Sequence, residues 1–257
     1  MDATADVSAA SGGAVLADLG DRIFNDVNLS INRNQSCGSC HDVRFGYSSP
    51  LVAFNGHGAV VEGSIPGRFG NRRPPSAAYA TFSPTLAFNA EDDAWEGGNF
   101  WDGRATGALL GNPAADQALG PFLNPAEQAL PDNACVVYRV AEGRYAALYR
   151  ATYGTSIFSI TFPPAPSMKS LCGSEGNTVP LSAADRAKVN AEYNRIALAI
   201  AAFEASPKLN AFNSRFDQAR AGGATLTKAE MQGFELFVGK ANCAACHPSS
   251  GQRADAA

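Results

Sequence analysis

One pentapeptide occurs twice in this chain, as Cys37-Gly38-Ser39-Cys40-His41 and as Cys243-Ala244-Ala245-Cys246-His247. C-x-x-C-H is the attachment signal for c-type haem. The two thiols become thioethers to the porphyrin vinyl groups, and the adjacent histidine is then fixed beneath the iron. A C-x-x-C pair alone also serves as a zinc half-site or a redox dithiol. Here two copies use four of six cysteines and two of three histidines, which favours haem over both. The spacing implies two covalently bound haem c groups, on Cys37, Cys40 and His41 and on Cys243, Cys246 and His247.

The net charge of −4, with no basic stripe, argues against nucleic acid as a partner. A hydrophobic content of 46% allows a packed core, yet no apolar run approaches a membrane span. Residues 1–13 are small and polar, without the charged start and apolar centre of a signal peptide. Covalent haem attachment takes place outside the bacterial cytoplasm. The expectation is a periplasmic protein whose export signal has been removed or was never included. In that oxidising compartment Cys135 and Cys172 can pair, but geometry decides between a disulfide and two separate thiols.

Taken in order, residues 14–27 place Leu16, Leu19, Ile23, Phe24 and Val27 at helical spacing, and a polar loop, 28–36, leads to the first motif. Residues 42–100 are loop-rich, as in a segment that wraps a cofactor. This segment holds His57, the one histidine outside the motifs, between Gly56 and Gly58. It reads either as a surface residue or as a sixth ligand that approaches a haem and leaves again. Trp101 reads as packing, Arg104 as a partner of Asp102 or of a haem propionate, and Glu127 as a solvent-facing carboxylate in a turn-rich stretch. Residues 136–153 read as a helix and 154–180 as a loop. Residues 183–204 form the clearest helix, started by Ser182 and Asp185 and carrying Val189, Tyr193, Ile196, Ile200 and Phe203.

Residues 206–225 are a polar connector and the candidate domain boundary. Thr227 and Glu230 then form a capping box for a helix running to the second motif, in which Met231 reads as a core residue. Helix, short loop and C-x-x-C-H thus recur. The expected fold is mainly α, with two tandem cytochrome c-like domains and long loops. The first spans 14–205. The second, 206–257, is read as incomplete because ten residues follow His247, too few to cover a second haem face.

These residues resemble the bacterial dihaem cytochrome c peroxidases and their MauG-like relatives, from about Leu19 to His247. The resemblance rests on Leu19-Gly20-Asp21-Arg22-Ile23-Phe24, Ser36 to Asp42, Arg73-Pro74-Pro75-Ser76, Phe100-Trp101-Asp102-Gly103-Arg104-Ala105, Gly120 to Glu127, and Phe212-Asn213-Ser214-Arg215-Phe216-Asp217. It implies that the first haem is the peroxidatic site and that His57 is a displaceable distal ligand. Trp101 would lie between the haems, and Gln117 and Glu127 would line the peroxide pocket. The second haem would take electrons from a small donor protein, a cytochrome c or cupredoxin. The family also binds calcium between its domains. Arg73 stands where the family has asparagine, so no calcium ligands are assigned. The resemblance allows a homodimer.

The implied reaction is reduction of hydrogen peroxide to water, in which a carboxylate moves a proton to the departing oxygen. Two other readings compete. One is a MauG-like oxidase acting on a partner protein. The other is a dihaem electron-transfer cytochrome with no enzymatic role.

Overall fold

A computed structural model describes residues 3–50 and 60–247. The chain divides into two compact units, Met1–Asn210 and Ala211–Ala257. Helix α1 (Ala3–Phe24) opens the first unit. It extends upstream of the expected start, because the alanines there are the best helix formers. It stops short of Val27, where the Asp26 side chain accepts the Asn28 amide at 2.9 Å and starts a 3-10 turn.

Helix α2 (Cys37–Cys40) is the single turn of the first motif. A small antiparallel hairpin follows, β1 (Ala87–Asn89) and β2 (Ala94–Glu96), with Phe88 opposite Trp95. Helices α3 (Pro113–Ala118) and α4 (Gly120–Leu123) come next. Asn112 caps α3 by accepting the amides of Ala114 and Ala115, with Pro113 at the first turn, where its missing N–H costs nothing.

The single helix expected over 136–153 is two, α5 (Asn133–Ala141) and α6 (Ala146–Tyr153), separated around Gly143. The expected loop 154–180 contains α7 (Ala165–Leu171), which its flanking prolines obscured. Helix α8 (Ala183–Glu204) matches its expected span, and Ser182 Oγ accepts the Asp185 amide at 3.1 Å.

The core is built where α1 lies along α8. Leu19, Ile23 and Phe24 are buried with Val189, Ile196, Ile200 and Phe203. The Phe24 and Phe203 rings meet edge to face at 5.2 Å. The approach is too close for a side chain at Gly20. A Cβ there would fall 1.9 Å from the Ala199 carbonyl oxygen and 2.8 Å from Phe203 Cβ.

Cys135, in α5, and Cys172, at the end of α7, form a disulfide. Beside it Arg139 is buried, and its guanidinium donates to the carbonyls of Asn28 at 2.6 Å, Ser30 at 2.5 Å and Cys172 at 3.0 Å. The loop that delivers the first motif is therefore tied to α5 and α7.

In the second unit, Ser214 and Asp217 form a capping box at α9 (Arg215–Arg220), a helix inside the expected connector. Thr227 and Glu230 do the same at α10 (Lys228–Val238), as expected. Phe216 and Phe234 pack at 5.4 Å, and Arg215 pairs with Glu230 at 3.1 Å. Met231, expected in a core, is instead 43% exposed.

Adding a methyl group at Gly20 must push α1 from α8. Gly20→Ala should lower unfolding stability by about 1–3 kcal/mol, the usual cost of overpacking. Urea unfolding followed by circular dichroism measures it, and an unchanged midpoint would mean that the two backbones are not in contact there.

Candidate haem centre

The first motif is shaped before any cofactor is considered. Ser36 and Ser39 cap α2 reciprocally, with the Ser36 amide donating to Ser39 Oγ at 3.0 Å. One helical turn puts Cys37 and Cys40 on the same side, since residues three apart are neighbours. Gly38 takes the other side, where a Cβ would lie 2.5 Å from Asn25 Oδ1. The His41 amide closes the turn on the Cys37 carbonyl at 2.9 Å.

The His41 ring has a fixed role. Its Nδ1 lies 3.1 Å from the Tyr47 carbonyl oxygen. A carbonyl only accepts, so Nδ1 carries the proton and Nε2 keeps its lone pair for a metal. Tyr47 holds that carbonyl in place from a left-handed conformation, φ 57°, and the same oxygen accepts the Ala77 amide at 2.9 Å. Burial pushes the His41 pKa down, against the pull of the carbonyls of Tyr47 and Pro75, so the ring stays neutral.

Cys37, Cys40 and His41 open onto a cavity of about 330 Å³, a size typical of cofactor pockets. The same cavity is lined by Gln117, Glu127 and Trp101, so it brings together all the site residues expected around the first motif that the structure describes. His57 lies outside the described residues.

Each of the three has a distinct setting. Gln117 projects from α3, and its amide has no hydrogen-bond partner among the described residues. Glu127 follows α4 in a turn closed on Asn124, whose Nδ2 donates to Glu127 Oε1 at 3.0 Å. It is half-buried, not solvent-facing. Burial raises its pKa, opposed by Arg104 and by the Asn124 hydrogen bond. Trp101 is 65% exposed, and its indole N–H donates to the Arg73 carbonyl at 2.8 Å.

Charge at the cavity is arranged by Asp102. It bridges Arg72 at 2.8 Å and Arg104 at 2.7 Å, and these hydrogen bonds hold its carboxyl below the usual range. Arg104 also stacks on Phe100 at 3.7 Å. Arg73 makes no ion pair among the described residues. Both thiols are pushed up by burial, Cys40 to about 12, so they remain protonated in the absence of a cofactor.

The second motif repeats the local turn, with the His247 amide donating to the Cys243 carbonyl at 2.9 Å. It belongs to the second unit, and Cys246 and His247 are exposed.

A family model described as di-haem cytochrome c peroxidase matches residues 14–225. The chain belongs to that family. Among curated proteins, it is 30% identical over 233 residues to the methylamine utilization protein MauG of Paracoccus denitrificans, covering 90% of this chain and 51% of that protein. It is 27% identical over 237 residues to the cytochrome c551 peroxidase of Nitrosomonas europaea, covering 91% and 52%. Among solved structures, the diheme peroxidase BthA from Burkholderia thailandensis E264 is similar with a TM-score of 0.70 at 28% identity, covering 93% of this chain and 50% of that one. The chain therefore spans about half the length of the proteins it matches.

The residues present fit the haem c that this family implies. Two free thiols stand on one turn, and a neutral histidine presents Nε2. The cavity has apolar walls at Phe24, Ala118 and Ile200 and an uncommitted cation, Arg73, for a propionate. Among the described residues there is no cluster of three or more His, Cys, Asp or Glu to hold a separate metal ion, and no helix is long and apolar enough to cross a membrane.

Glu204 lines the cavity too and was not singled out from the sequence. A signal existed: it falls four residues after Ile200, on the buried stripe of α8, where an acid is out of place. Burial raises its pKa to about 8 from 4.5.

Two outcomes are expected. Exported, matured protein should give two haems per chain in a pyridine haemochrome assay, and replacing Cys37 and Cys40 by serine should leave one. The second concerns pH. The folded chain holds the Glu204 proton more tightly than the unfolded chain does. The stability linked to it is complete below about pH 4.5 and is lost as pH rises to about 8. Glu204→Gln should flatten that dependence in urea unfolding, and the variant should exceed the parent in stability above about pH 8.

Proposed function

We propose that this chain carries the peroxidatic site of a dihaem c-type peroxidase, which reduces hydrogen peroxide to water with electrons from a small redox protein. The observation that carries the reading is the single cavity shared by Cys37, Cys40 and His41 with Gln117 and Glu127. A haem attached there supplies the iron that binds peroxide and passes on the electrons. The balance is one peroxide, two electrons and two protons giving two waters.

Glu127 handles the protons. Its environment favours the protonated form more than water does, which suits a group that takes a proton from one peroxide oxygen and gives it to the other as that oxygen leaves. The uncommitted amide of Gln117 orients the peroxide by hydrogen bonding. Trp101, fixed by its bond to Arg73, lies on the electron route to the cavity. His41 would hold the iron through Nε2, since its Nδ1 is engaged by the Tyr47 carbonyl. His57 would be a second, displaceable ligand. The second motif takes up electrons from a cytochrome c or cupredoxin, in the periplasm, where haem attachment and the Cys135–Cys172 disulfide are both at home.

A second reading, oxidation of a partner protein, is favoured by the higher identity to MauG, 30% against 27% for the cytochrome c551 peroxidase. Peroxide consumption with a reduced small donor separates the two. Turnover that requires a protein substrate instead of a donor would replace the first reading by the second.

Glu127→Gln keeps the shape of the side chain and removes the proton acceptor. It should lower peroxide turnover by about 10²-fold or more, with haem content and reduced spectrum unchanged. Near-normal turnover would remove Glu127 from the reaction. His57→Gly should convert the oxidised first haem from low to high spin without prior reduction, and an unchanged spectrum would assign the ligand elsewhere.

A further inference from the structure

Three carboxyl groups are buried among the described residues of the first unit: Asp132, Glu192 and Glu204. Two are fully engaged. Asp132 takes Arg186 at 2.6 and 2.9 Å and the amides of Ala134 and Val179. Glu192 takes the Tyr149 hydroxyl at 2.5 Å and Arg195 at 2.8 Å.

Glu204 differs. It is 5% exposed, yet among the described residues its carboxyl has neither a cation nor a hydrogen-bond donor. It is also the last residue of α8, where the helix carbonyls disfavour negative charge. Its backbone is held, since its carbonyl accepts from Asn210 Nδ2 at 2.9 Å. An acid fixed in this way, against the haem cavity, is costly to keep ionised and serves no packing purpose that an apolar residue would not serve better.

The neighbouring charges do not neutralise it. From α1, Asp21 is bound to Lys208 and Asp18 to Arg22. From α3, Asp116 accepts the amides of Leu109 and Leu110. From α5, Arg139 is spent on three carbonyls. Arg72 and Arg104 share Asp102. On α8 itself, the Tyr193 hydroxyl donates to the Leu119 carbonyl. Once haem is attached, Cys37 and Cys40 no longer titrate and His41 is held by iron. Glu127 and Glu204 then remain as the acids of the cavity, with Arg73 as its uncommitted cation.

We propose that Glu204 is a redox-linked proton site: it takes up one proton from solvent when the first haem accepts an electron, and releases it when that electron leaves. One electron and one proton enter together, so the net charge at the cavity stays constant. The driving force is mutual. An added electron raises the proton affinity of a nearby carboxyl, and by linkage the proton raises the electron affinity of the iron. The proposal rests on haem attachment at Cys37 and Cys40, and not on the identity of the oxidant.

Spectroelectrochemical titration of the protein carrying both haems tests it. Around pH 8 the potential of one haem should fall with rising pH, by up to about 59 mV per tenfold change in proton concentration, while the other haem serves as internal reference. Glu204→Gln should abolish that slope and raise the potential on the alkaline side, and Glu127→Gln should retain it. A slope unchanged in Glu204→Gln, or lost in Glu127→Gln alone, overturns the proposal. Should Glu204→Gln fail to load haem, the parent protein still decides. Its reduced-minus-oxidised infrared spectrum should gain a protonated-carboxyl band, and no such band overturns the proposal. A haem count of one, with the first motif empty, overturns both this proposal and the peroxidatic reading. Two haems with a pH-independent potential overturn only this one.

Discussion

The first unit depends on the backbone approach of α1 to α8 at Gly20, where no side chain can be accommodated. That contact sets the floor of the haem cavity. It brings Phe24 from α1 and Ile200 and Glu204 from α8 to the same cavity. It also sets the Phe24 ring 6.4 Å from the His41 ring. A helix pair separated by ordinary side chains would leave the histidine without this backing. The chain thus uses a close helix packing to back His41, and the surrounding loops supply the rest of the wall.

What was legible in the sequence had local causes. The Ser182 start of α8 and the Thr227 capping box each depend on residues within one turn of one another, and both are present as expected. The span of α8 followed from its apolar stripe. Features with non-local causes were not legible. Glu127, taken alone, belongs in solvent; it is half-buried because loops from distant parts of the chain cross it, with the Ser64 amide donating to its carbonyl at 2.7 Å. Pairing of Cys135 with Cys172 needed the geometry of α5 and α7, and α7 was itself hidden by prolines that begin it. Gly143 broke a helix that its apolar pattern continued.

The cavity holds two acids raised by the same cause and placed in different company. Glu127 has Asn124 and the nearby Arg104 to moderate it. Glu204 has no such partner and is set off the more strongly. A site that divides its carboxyls in this way holds two acids of different proton affinity. Asp102 is drawn the other way, held below the usual carboxylate range by its hydrogen bonds with Arg72 and Arg104.

The accessibility of the cysteines imposes an order on biogenesis. Cys135 and Cys172 are 0% and 1% exposed, sealed beneath Arg139 and the core. An oxidant cannot reach them once that core has closed, so their bond must be made on a chain still assembling. Cys37 and Cys40 instead face an open cavity and stay reachable afterwards. The fold therefore separates two pairs of chemically alike thiols by when each can react.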